Sequence, residues 1–109
     1  MIDGKELRVG NIVYKRDKMV MLDITEFARL WRTPVSYSAI PLDENLLLKC
    51  GFELDHSKQS WHHRTFVLNG LELEEIDYEY RYNSFLIPSL HKLQNLHFEL
   101  LGIEIDINL

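Results

Sequence analysis

Cysteine is nearly absent from this chain of 109 residues, which contains Cys50 alone. A single cysteine excludes an internal disulfide, and it leaves a cysteine-based zinc site without enough ligands. The chain also lacks a run of about 18 apolar residues, the length that a membrane-spanning helix needs, and its N-terminus lacks the apolar stretch of a signal peptide. We therefore expect a cytoplasmic protein that has no membrane partner and is stabilised by packing.

The chain also contains little sequence of the kind that forms flexible linkers. The chain has three prolines and five glycines, with no repeat, no low-complexity tract and no Gly/Ser/Pro-rich stretch. Hydrophobic residues make up 46% and charged residues 27% of the chain, which is typical of an ordinary globular protein. One hydrophobic core is expected at this length, so residues 1–109 are predicted to form a single domain.

Positive charge is in the minority, and the net charge is −5. Residues 1–50 carry 8 Lys or Arg against 7 Asp or Glu, whereas residues 51–109 carry 4 against 10. General affinity for DNA or RNA depends on neutralising several phosphates at once, so an acidic chain disfavours a nucleic-acid partner unless a local basic patch exists.

The first half of the chain predicts a hairpin and then a helix. Val9 to Tyr14 and the alternating residues 20–24 have the pattern of strands, with a polar turn at Lys15 to Lys18. Phe27 to Arg32 fits either a helical face or a short third strand, and we favour the strand. The segment Leu7 to Asn11 is typical of the start of a small SH3-like barrel. Asp43 as an N-cap and Gly51 as a stop predict a helix over Asp43 to Cys50.

The second half predicts strands, one longer helix and a final strand. Trp61 to Leu68 and the Asn69-Gly70 pair indicate a hairpin, and a shift of alternation predicts a bulge or turn at residues 74–75. Leucines at helical spacing predict a helix over Ser89 to Leu101, and the alternation of Ile103 to Leu109 predicts a half-buried strand. The fold class is therefore α+β: a small, mostly antiparallel sheet, or SH3-like N-terminal hairpins, with two helices packed on it.

The residues that could perform chemistry do not form a recognisable catalytic or metal-binding pattern. The histidines are poorly spaced for a metal clip, and Cys50 lies at the negative end of a helix, where the thiol pKa is raised and the side chain is predicted to be core. The carboxylates at 72, 74, 75, 77 and 79 are predicted to form a solvated strand face. We therefore predict no enzymatic activity, no metal and no cofactor.

Two groups of residues are candidates for binding. One mixes positive charge with aromatic rings, as binders of nucleotides and single-stranded nucleic acids do; it comprises Tyr14, Lys15, Arg16, Lys18, Arg29, Trp31 and Arg32. The other is the alternating series Tyr78, Tyr80 and Tyr82, which would share one face of a regular strand. That face could be an exposed binding surface or part of the core, and core is favoured.

Three segments together resemble a family of small hypothetical proteins from gut Bacteroidales, their phages and mobile elements. These segments are Leu7 to Tyr14, Ile40 to Glu53 and His91 to Phe98. The resemblance implies a short, stand-alone gene product in a bacterial or phage cytosol, and it implies no activity. Within the matched segments, Gln94 and Asn95 are the notable polar residues, which either serve binding or cap neighbouring backbone.

These observations favour a non-catalytic binding protein, a phage or mobile-element accessory that engages a host or phage protein. The alternative is a nucleic-acid or nucleotide binding module that uses the basic-aromatic region at 14–32. An enzyme whose site is assembled from scattered residues is a third and less favoured class. The C-terminal alternating strand would also suit pairing between subunits of a homo-oligomer.

Overall fold

The computed structural model describes residues 6–26, 28, 37–58, 60 and 63–107 and has an α+β architecture. Its strands are β1 Ile12–Lys15, β2 Lys18–Met21, β3 Tyr37–Ser38, β4 Glu53–Leu54, β5 His63–Leu68, β6 Leu71–Ile76, β7 Glu79–Tyr82 and β8 Phe85–Leu86. Two helices with defined bounds are α1 Glu44–Lys49 and α2 Leu90–Leu101; residues 24–26 and 28 are also helical, and a 3₁₀ turn spans His56–Lys58. The strands form two antiparallel sheets with the orders β2-β1-β3 and β4-β5-β6-β7-β8, so the predicted fold class is confirmed.

Two-residue turns connect most of the neighbouring strands in the two sheets. The turns Arg16-Asp17, Asn69-Gly70, Asp77-Tyr78 and Asn83-Ser84 each have positive φ at both residues, and each joins directly paired strands. This is the type I′ geometry, whose twist matches that of the flanking strands. The opening hairpin and the hairpin at Asn69-Gly70 are therefore confirmed.

Both predicted helices are also confirmed. Asp43 caps α1, because its Oδ1 accepts a hydrogen bond from the Leu46 N–H at 2.7 Å. Helix α2 ends at Gly102, whose φ of 70° is left-handed and whose N–H donates to the Phe98 carbonyl at 2.8 Å. The burial predicted for α2 holds only in part, since Leu90 and Leu93 are buried whereas Leu100 and Leu101 are exposed.

The prediction of a bulge or turn at residues 74–75 is wrong. Strands β5 and β6 pair without interruption from Leu68 opposite Leu71 to His63 opposite Ile76. The shift of alternation has two other causes. Glu75 takes an inward position that the pattern assigned to an apolar residue, and the turn at Asp77-Tyr78 restarts the alternation.

The prediction of a C-terminal strand is also wrong for the described residues 103–107, which belong to no strand. The alternation still marks burial, because Ile105 is buried and Glu104 is exposed. Most of the short strand favoured for Phe27 to Arg32 lies outside the described residues, and residue 28 within it is helical.

The buried apolar residues form two clusters rather than one. The larger lies between the five-stranded sheet, both helices and β1, and comprises Ile12, Ile40, Leu46, Leu47, Cys50, Phe52, Phe66, Leu71, Leu73, Tyr80, Ile87, Leu90, Leu93 and Ile105. The smaller contains Leu7, Val13, Leu22 and Tyr37. Ile12 and Val13 point to opposite faces of β1, so this strand contributes to both clusters. In the described part of the chain no helix has the length and apolar character needed to cross a membrane.

Candidate functional site

The N-terminal segment, residues 6–11, lies against α2 and is held there by a buried glutamine. The Gln94 side chain is 2% exposed. Its Oε1 accepts a hydrogen bond from the Ile12 N–H at 2.8 Å, and its Nε2 donates to the Gly10 carbonyl at 3.0 Å. The amide of Gln94 thus satisfies one donor and one acceptor of the chain where it enters β1.

Asn95 continues this contact along the segment. Its Nδ2 donates to the Glu6 carbonyl at 2.9 Å, and its Oδ1 accepts from Asn11 Nδ2 at 2.9 Å. Asn11 in turn accepts from the Arg8 N–H at 2.8 Å. Gln94 and Asn95 therefore both bond neighbouring backbone, which is one of the two roles that the sequence left open.

A buried histidine holds the start of the segment. His91 is 1% exposed; its Nε2 lies 2.9 Å from Glu6 Oε1 and its Nδ1 lies 3.2 Å from Ser89 Oγ. A neutral imidazole can donate to Glu6 and accept from the Ser89 hydroxyl. Burial lowers the pKa of His91, while the hydrogen bond to Glu6 opposes that shift.

Arg8 joins the segment to the far end of α2. Its guanidinium forms an ion pair with Glu104, donates from Nη2 to the Gln94 carbonyl at 3.0 Å, and stacks over the Phe98 ring with Cζ 4.5 Å from the ring centroid. This arrangement leaves Phe98 41% exposed beside a fixed cation.

Two grooves lie beside the contact between the N-terminal segment and α2. The first, which we call the N-terminal groove, has a volume of about 530 Å³ and is lined by Glu6, Leu7, Arg8, Ile87, Lys92, Asn95, Leu96, Phe98 and Glu99. The second, the tail groove, has a volume of about 320 Å³ and is lined by Val9, Gly10, Ile12, Met21, Gln94, Glu104, Ile105, Asp106 and Ile107. Each therefore combines apolar walls with charged side chains.

Four members of the basic-aromatic region, Tyr14, Lys15, Arg16 and Lys18, lie within the described residues. Lys15 Nζ is 3.1 Å from Glu26 Oε2, so its charge is paired. Tyr14 is half-buried against the main core, whereas Arg16 and Lys18 are exposed around the β1–β2 turn. The other three members, at 29, 31 and 32, lie outside the described residues.

The three tyrosines do not share one face, which corrects the prediction. Tyr80 and Tyr82 both lie in β7, where Tyr80 is 5% exposed and Tyr82 is half-buried against the core. Tyr78 instead occupies the preceding turn, with φ of 67° and 87% of its surface exposed. The core interpretation therefore fits Tyr80 and Tyr82, and the exposed one fits Tyr78.

Glu75 departs from the solvated carboxylate face that the sequence predicts. It is 8% exposed; its Oε1 accepts from Arg64 Nε at 2.8 Å and its Oε2 accepts from the Tyr80 hydroxyl at 2.6 Å. Burial, followed by the hydrogen bond to Glu75, raises the pKa of the Tyr80 phenol above its usual range. Arg64 also bonds Glu44 at 3.1 Å, so this cluster ties α1 to the five-stranded sheet.

Cys50 and His97 are used in packing. Cys50 is 2% exposed, and burial raises the pKa of its thiol to about 12, well away from a reactive thiolate. His97 is fully buried; its Nδ1 donates to the Ile103 carbonyl at 2.8 Å. Among the described residues, no group of three or more His, Cys, Asp or Glu is placed to hold a metal ion.

Sequence reasoning missed Arg8, Phe98 and Glu6 as members of a site. The one available signal was that Leu7 to Tyr14 and His91 to Phe98 are both segments of the resemblance, and these segments contact each other in the structure. Comparisons with protein-family models, with curated proteins and with solved structures find no match to this chain.

Proposed function

We propose that this chain is a non-catalytic protein-binding module that takes a short, partly apolar segment of a partner protein into the N-terminal groove. The observation that carries the proposal is the exposed Phe98 ring, which lies under the Arg8 guanidinium and lines the groove together with it. Phenylalanine and arginine are enriched in protein interfaces, and such rigid anchors dominate binding energies.

The walls of the groove suit a peptide that has both apolar and charged side chains. Leu7, Ile87 and Leu96 supply apolar surface, while Glu6, Lys92 and Glu99 place charges of both signs on its border. Lys92 Nζ lies 3.6 Å from Glu6 Oε2, and both side chains stay more than a third exposed, so either can exchange its partner for a charge on the bound peptide. The resemblance adds a context to this proposal, in which a phage or mobile-element accessory engages a host protein.

The test begins with selection of binders from a displayed library of random peptides, followed by measurement of Kd for a selected peptide by fluorescence anisotropy. Phe98→Ala is expected to weaken Kd about 30-fold, the effect of losing an anchor of about 2 kcal/mol. Leu48→Ala is the matched control, because Leu48 is an exposed apolar residue on α1 outside the groove.

Equal loss of affinity in both variants, or none in either, would contradict the proposal. Salt-dependent binding of short oligonucleotides without peptide binding would instead favour the nucleic-acid alternative.

A further inference from the structure

Strand β2 has an edge with apolar side chains that no other strand of the described residues covers, although the Met21 carbonyl on this edge accepts from the Asp23 N–H at 3.0 Å. It is the outer strand of the three-stranded sheet, and Met19 and Met21 are 43% and 61% exposed. Lys15 and Lys18 close a two-residue turn, so the alternating ladder directs the N–H groups of Met19 and Met21 away from β1. Such an edge is a template for another strand.

The C-terminal tail, residues 103–107, is a second segment with strand character, and it pairs with no strand of the described residues. It alternates Ile103, Ile105 and Ile107 with Glu104 and Asp106. Within the described part of the chain, its backbone makes no backbone–backbone hydrogen bond. Ile105 is anchored in the main core, whereas Ile103 is 50% exposed. The Ile103 carbonyl accepts from His97 Nδ1 at 2.8 Å, so the tail is held in place while its N–H groups make no backbone–backbone hydrogen bond within the described residues.

These two segments lie on the same surface, because Met21 and residues 104–107 line the same tail groove. When both halves of a contact occupy one surface, two copies related by a two-fold axis can make the contact twice. The β2 edge of each copy then meets the tail of the other, and the methionines of one copy cover the apolar wall of the other copy's groove.

Side-chain pattern and charge both favour this pairing. In an antiparallel register, Met19 lies opposite Ile105 and Met21 opposite Ile103 of the second copy, so apolar side chains share a face. The same register sets Lys18 opposite Asp106. Both of these are exposed, and neither forms an ion pair within the described residues. We propose that the chain forms a two-fold symmetric dimer in which the β2 edge of each copy pairs with residues 103–107 of the other, an assembly separate from the peptide-binding function.

Charge reversal tests this register. We would measure the monomer–dimer Kd of the full chain by sedimentation equilibrium for the wild type, Lys18→Glu, Asp106→Lys and the double variant. Each single reversal is expected to weaken the dimer about tenfold, because it sets like charges together at two symmetric places. The double variant should recover the wild-type Kd.

A second pair of variants tests the backbone contact. Met19→Pro removes an N–H that faces away from β1, so the fold should persist by circular dichroism while the dimer is lost. Met19→Ala keeps that N–H and should retain more of the dimer. A wild type that stays monomeric at every concentration would overturn the proposal, and so would a dimer that both charge reversals leave unchanged.

Discussion

Individual residues in this chain adopt conformations that their types do not favour, and Tyr78 is the clearest case. It has φ of 67° in a type I′ turn, where glycine or asparagine is usual. The equivalent position of the Asn69-Gly70 turn is occupied by glycine with φ of 83°. An exposed tyrosine in this conformation adds strain and gains little burial in return.

We expect Tyr78→Gly to stabilise the fold by about 1 kcal/mol, because glycine removes the steric cost of positive φ. Urea unfolding would measure the change. Tyr78→Ala is the control, since it removes the ring but keeps the Cβ atom that causes the strain. If both variants had the same stability, strain at Tyr78 would not be the cause.

The burial of individual polar side chains was the property hardest to predict from the sequence. Glu75 and Gln94 are polar and yet buried. The hydrogen bonds of Glu75 come from Arg64 and Tyr80. Those of Gln94 are made with the backbone of Gly10 and Ile12. These partners lie elsewhere in the sequence, so the charge of Glu75 assigned it to solvent although its place in the alternation is an inward one.

At the scale of elements, local sequence signals predicted the ends of helices and strands correctly wherever a cap or turn residue sets the boundary. The Asp43 cap, the Gly102 stop and the Asn69-Gly70 turn each set a boundary through one backbone geometry. The C-terminal tail shows the limit of this reasoning. Its alternation correctly marks Ile105 as buried, but a strand also needs a neighbour, and no local pattern encodes one.

Helix α2 acts as a docking element for the N-terminal segment, and Gln94 is its central contact. Gln94→Leu is expected to destabilise the fold by about 3 kcal/mol, because the Ile12 N–H and the Gly10 carbonyl lose their partner in a buried place. Urea unfolding would measure this loss, and hydrogen exchange at the Ile12 amide should accelerate.

Leu100→Ala provides the comparison on the same helix, at an exposed position, and should change stability by less than about 0.5 kcal/mol. Unchanged exchange at the Ile12 amide in Gln94→Leu would mean that the segment is held by other contacts.

Over the whole molecule, α2 links the two sheets. Its N-terminus bonds to the chain before α1, where the Leu90 N–H donates to the Ile40 carbonyl at 2.9 Å, and its inner polar side chains hold the entry to β1. His91 lies between these contacts. The groups that face it are Glu6 from the N-terminal segment and Ser89 and Lys92 from the start of α2.

Because the folded chain lowers the pKa of His91 below its ordinary 6.5, the unfolded chain takes up this proton first as pH falls. The contribution of His91 to stability is therefore complete above about pH 6.5 and is lost as pH falls through the folded-state pKa.

We expect His91→Gln to be less stable than the wild type at neutral pH but to lose less stability on acidification. Urea midpoints measured at a series of pH values from neutral to mildly acidic would show converging curves, and parallel curves would contradict a role for His91. In the wild type, acid should accelerate hydrogen exchange at Ile12 before it affects Phe66, because protonation disturbs the docking of the N-terminal segment, whereas Phe66 lies within the continuous β5–β6 ladder.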